Sequence, residues 1–232
     1  MSPPALRSAL AATLLAVLLA ARAPAAAPLV CPDVEATVYG GSEQERSLIC
    51  AGLADAAGFL AGCGITRGAG LEVTVHQDMR EVCDTPAHAL YDRNRDRLEI
   101  ASLDTCLRTN TGHDLFARIE ASAAYRSIAA HEAAHAIVSR AGVAPDRIAA
   151  QEYVAGAAQF ASLPTDTRED LTTALVPPRA RPVELAALNR FIYAMAPLRF
   201  AAMASLHFEQ QPDGCAFLQD LVAGDVRLRT MP

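Results

Sequence analysis

The segment His131-Glu132-Ala133-Ala134-His135 sets two imidazoles four residues apart, with a carboxylate beside the first. On a helix this spacing turns both rings to one face, where each can bring a nitrogen to within about 2.0 to 2.1 Å of one zinc ion. Glu132 then lies next to the remaining coordination position, where a carboxylate can take a proton from water. Given the His and Glu content of the chain, a chance match to H-E-x-x-H has a probability of roughly one in a hundred. The flanks strengthen the signal, because every other side chain from Ile128 to Val138 is Ala, Ile or Val. A helix apolar nearly all round is buried, and each unpartnered polar group there costs about 1 to 3 kcal/mol. A metal ion would satisfy all three; hydrogen bonds within the core are the plainer alternative.

A catalytic zinc needs a third protein ligand and an open fourth position. His135 precedes Ala141, the expected end of its helix, by six residues, and Glu152 follows Asp146, the expected N-cap of the next helix, by six. Packed antiparallel across a short turn, the two residues stand level, each about 9 Å from the turn. Ala155 and Gly156 follow one turn beyond Glu152, small enough for close helix approach. The expected ligand set is therefore His131, His135 and Glu152 around one Zn2+, with Glu132 as general base. An oxyanion formed on a substrate needs a further donor, for which His207, Tyr153 and Tyr193 are candidates, His207 being the first choice. His76, His88 and His113 read as surface or strand-packing residues.

The elements that must hold these groups read as α+β. Glu43 to Ala61 carries an apolar stripe behind a Ser42/Glu45 capping box, and Gly62 and Gly64 end it. Leu71 to His76 alternates as a strand with one buried face. His88 to Tyr91 and Leu98 to Ser102 flank the turn Asp92-Arg93-Asn94-Arg95-Asp96 and read as a hairpin. Helices follow: 117 to 140, stopped by Gly142 and Pro145, then 146 to 161, then 183 to 208 interrupted at Pro197, and a short one over 217 to 222. The expected domain covers 26–232, with the metal-site core at 71–161 and a helical portion at 165–232.

Arg7 and the apolar run Ala9 to Ala21, ahead of an alanine-rich segment, read as a signal peptide over 1–25 with cleavage near Ala25. The run falls short of the roughly 20 residues that span a bilayer, so no membrane anchor is expected after cleavage. Six cysteines follow, at 31, 50, 63, 83, 106 and 215, with no C-x-x-C among them. In an exported chain they read as three disulfides, and Cys83 and Cys106, flanking the hairpin, are the one pair that spacing suggests. The setting is secreted or periplasmic. The net charge of −6 argues against nucleic acid as a partner, and the Arg93, Arg95 and Arg97 run is interleaved with aspartates as in a solvated turn.

At His131-Glu132-Ala133-Ala134-His135 and Glu152 the sequence resembles the zincin metallopeptidases, and their gluzincin branch in particular, over about Leu71 to Ala161. That resemblance implies a small, mostly antiparallel sheet whose edge strand lines a cleft, then an active-site helix and a glutamate helix. It implies zinc on His131, His135 and Glu152, with Glu132 as base and proton shuttle. The metzincin extension would need Gly at 138 and His at 141, where Val138 and Ala141 stand. The Asn-Glu and downstream Ser-Asp of thermolysin-like enzymes are replaced by Gln151-Glu152 and Ala155-Gly156, which removes the familiar carboxylate that orients one histidine. The expected function is a zinc-dependent hydrolase acting on peptides or proteins; the alternative is a periplasmic protein that binds zinc or a peptide on the same fold without turnover.

Overall fold

The computed structural model describes residues 27–66, 70–82, 87–110 and 115–228. The expected signal peptide, Cys83 with its pairing to Cys106, and His113 lie outside the described residues. Five strands and eight α-helices make up the described chain: β1 (Leu29–Val30), β2 (Ala36–Tyr39), α1 (Glu43–Gly62), β3 (Leu71–His76), β4 (Ala89–Asp92), β5 (Arg97–Ala101), α2 (Leu103–Thr109), α3 (Ala121–Arg140), α4 (Ile148–Ala161), α5 (Thr165–Leu175), α6 (Arg190–Met195), α7 (Pro197–Gln210) and α8 (Gly214–Ala223).

The architecture is α+β, with one five-stranded sheet in the order β1-β2-β3-β5-β4. The sheet is mixed rather than mostly antiparallel, since β3 runs parallel to both β2 and β5 while β1 and β4 pair antiparallel at the edges. Helix α1 accounts for the first parallel pair, because a helix between β2 and β3 returns the chain to its starting end. The hairpin accounts for the second: β4 goes to the edge, so β5 comes back beside β3 in the same direction. Within β3, Leu71, Val73 and Val75 are buried while Glu72 is exposed, the alternation that its sequence shows.

Helix α1 begins at the capping box of Ser42 and Glu45. It packs along α3 so closely that a Cβ at Gly52 would lie 2.2 Å from the Arg126 carbonyl oxygen. Cys31–Cys50 ties the first strands to α1, and Cys63–Cys215 ties the end of α1 to α8. With separations of 19 and 152 residues, these bridges stabilise the fold by about 3 and about 5 kcal/mol in the chain-entropy picture. Cys106 is buried on α2. Among the described residues, no helix is long and apolar enough to cross a membrane.

Helix α3 starts at Ala121, four residues later than the sequence suggests, with the Glu120 carboxylate capping the Ser122 and Ala123 amides; a short 3-10 turn precedes it. It ends at Gly142, whose φ of 93° suits glycine, and the Val143 amide closes back on the Val138 carbonyl. Helix α4 starts at Ile148 with Arg147 at its N-cap, so Asp146 does not cap it. The Arg147 guanidinium instead donates to the Leu221, Val222 and Val226 carbonyls at the end of α8. Arg140 reaches across to Asp96 at 2.6 Å and to the Gly70 carbonyl, holding the hairpin tip against the end of α3. The hairpin is thereby fixed with β4 alongside the helix that carries both histidines.

Candidate metal centre

His131 and His135 lie one turn apart on α3, and Glu152 lies on the facing side of α4. The Glu152 carboxylate stands 3.4 Å from His131 Nε2 and 3.5 Å from His135 Nε2, and the two Nε2 atoms are 3.1 Å apart. The 3.4 and 3.5 Å distances end on different carboxylate oxygens, Oε2 and Oε1, and one donor atom from each residue lies within 4.8 Å of the other two, close enough to surround a single ion. Two imidazole nitrogens facing each other this closely also need a proton or a cation between them. These residues could hold a metal ion. Their side chains are 20, 14 and 12% exposed for His131, His135 and Glu152, which leaves one side open to a cavity.

Gln159 orients the first ring. Its Oε1 lies 3.1 Å from His131 Nδ1; when that nitrogen carries the proton, the Nε2 lone pair is left for the cluster. Seven residues beyond Glu152, Gln159 returns to the same face of α4 two turns on. It supplies the support for which the sequence offers no carboxylate, and its spacing from Glu152 is the signal that could have revealed it. Gly156 does not serve the contact between α3 and α4: a Cβ there would lie 2.7 Å from Ala201 Cα, so it lets α7 approach α4 instead.

The charges are strongly coupled. Burial pushes the Glu132 carboxyl up to about 7, with the Glu152 charge adding to the rise and His131 and the Tyr91 backbone amide on β4 opposing it. Burial pushes His135 down to about 4, helped by charge on His131. Burial works against the charged form of His131 too, but Glu152 and Glu132 together raise it. Burial would likewise raise Glu152, and hydrogen bonds from His131 and Tyr193 with both imidazoles outweigh it and hold the carboxyl low. The cluster therefore favours an anionic Glu152 and a neutral His135, the forms in which each ligates a metal.

A cavity of about 620 Å³ opens on this cluster, bordered by His131, Glu132, Glu152, Gln159 and Tyr193. Residues next to and within the β4 edge strand, His88 and Ala89, form part of its wall, and helices α6 and α7 form another. Of the three candidate oxyanion donors, Tyr193 is the one the fold brings here, hydrogen-bonded to Glu152. His207 is not brought to the cluster. It is buried on α7, 2.8 Å from the Tyr153 hydroxyl through Nδ1 and packed against the Phe217 ring. Tyr153 follows Glu152 on α4 and so points about 100° away from it. His76 pairs with the buried Glu99 at 2.7 Å and His88 packs edge-on against Phe116, strand and surface roles as expected.

A family model described as a family of unknown function, DUF6639, matches residues 36–231. No curated protein and no solved structure matches the chain.

Proposed function

We propose that this chain, which belongs to the DUF6639 family, is a zinc-dependent hydrolase acting on peptide bonds. The observation that carries the reading is the gathering of donor atoms from His131, His135 and Glu152 within 4.8 Å of one another, with the intact His-Glu-x-x-His segment presenting Glu132 to the same cavity. The zincin resemblance gains support from the element order: an edge strand beside the cavity, a helix with both histidines, a tight turn, and a helix with the glutamate. The two disulfides support an exported setting, secreted or periplasmic.

When bound, zinc supplies a Lewis acid that acidifies water and polarises a carbonyl. Glu132 does the proton work: held by the Tyr91 amide and with its carboxyl raised to about 7, it can take a proton near neutral pH and return it to the leaving amine. Tyr193, once released from its hydrogen bond to Glu152, offers its hydroxyl to the substrate carbonyl oxygen as that atom gains charge, the role for which the sequence favours His207. Glu152 and Gln159 hold the two rings in place.

The test is Glu132→Gln in the purified protein. Zinc should remain bound while hydrolysis of a broad peptide library falls by about 10²- to 10⁴-fold, the share a general base supplies. Wild-type protein that holds one zinc and cleaves nothing would instead identify a binding protein on this fold.

A further inference from the structure

The cavity that borders the cluster also carries two arginines, Arg118 ahead of α3 and Arg199 on α7. Both are exposed, and among the described residues neither guanidinium makes an ion pair or a hydrogen bond. The carboxylates of the cavity are engaged elsewhere: Glu152 meets both imidazoles and Tyr193, and Glu132 meets the Tyr91 amide. Glu120 and Asp170 border Arg118 on its other side, but Glu120 is committed to capping α3. The same cavity has apolar walls that include Leu115, Ile128, Leu175, Leu198 and Phe200. Met195, 70% exposed, stands at the rim.

Resting on the hydrolase reading above, we infer that Arg118 and Arg199 form the anion-recognition element of the cavity and select peptides that carry a carboxylate next to an apolar side chain. A guanidinium presents a planar fork that matches a carboxylate in two parallel hydrogen bonds. Beside an apolar wall that pairing is less screened than on open surface. The apolar wall takes the neighbouring side chain of the substrate. The carboxylate can be the C-terminus of the peptide or an acidic side chain, and the same two arginines serve either.

The experiment uses zinc-loaded Glu132→Gln protein and fluorescein-labelled apolar peptides in four forms: free C-terminus, amidated C-terminus, amidated with an internal Glu, and amidated with an internal Gln. Fluorescence anisotropy should give at least one carboxylate-bearing form a dissociation constant about tenfold below its neutral counterpart, the scale of one charge-assisted pair. Which form gains identifies the source of the carboxylate. Adding Arg118→Gln and Arg199→Gln together should erase the preference without changing zinc content, and Lys at both positions should restore part of it. Equal binding of all four peptides, or a preference that survives the double substitution, would overturn the assignment and leave the hydrolase reading standing. Failure of every peptide to bind would remove both.

Discussion

Helix α4 presents two ionisable clusters to two neighbours, and they differ in how completely they are closed. On one side Glu152 meets His131 and His135 beside a cavity. On the other, Tyr153 and His207 share a 2.8 Å hydrogen bond, with Phe217 against both rings. The second cluster satisfies itself: a donor has its acceptor, and Tyr153 is fully buried. The first cluster brings two imidazole nitrogens and a carboxylate together beside an open wall. Burial of a histidine therefore says little about function here. A surplus of electron pairs converging on an accessible point says much more.

Three substitutions sharpen that contrast, in falling order of effect. His135→Ala removes one of three donors and should reduce bound zinc below detection in the purified protein, while circular dichroism shows the fold retained. Gln159→Leu keeps all three donors but releases the His131 ring, so zinc affinity measured by chelator competition should weaken by about 10- to 100-fold. His207→Ala should leave zinc content unchanged and lower unfolding stability in denaturant by about 1 to 3 kcal/mol, because the Tyr153 hydroxyl loses its partner in the core. If His207→Ala lowered zinc content and Gln159→Leu did not, the two clusters would have been assigned the wrong way round.

The parts of this molecule that were legible in the sequence are those set by local spacing. The Ser42/Glu45 box, the alternation of Leu71 to His76 and the Gly142 stop all act within a few residues, and each appears in the fold as read. The pair His131 and His135 belongs to the same class. Glu152 was reachable by one further step, since a short turn fixes how two consecutive helices face each other. Features whose partners come from distant sequence leave no local signal. Asp146 looks like an N-cap, yet the start of α4 is governed by Arg147 reaching α8 some 74 residues on. Helix α2 lacks a strong apolar stripe and is not read from the sequence, and α5 falls within the portion 165–232 that reads as helical without bounds of its own. Strand β2 is short and parallel to β3 only because α1 carries the chain back, so the mixed sheet could not be told from a meander. The sequence favours His207 over Tyr193 as the extra donor, and the way α6 and α7 fold onto α4 brings Tyr193 to the cluster instead.

We propose that His131, His135 and Glu152 share one divalent cation. Elemental analysis of the natively purified, full-length protein after extensive dialysis tests it most directly. Close to one equivalent of zinc per chain is expected, lost on His131→Ala. A wild-type protein that folds normally, carries no metal, and takes up none when zinc is added would contradict it.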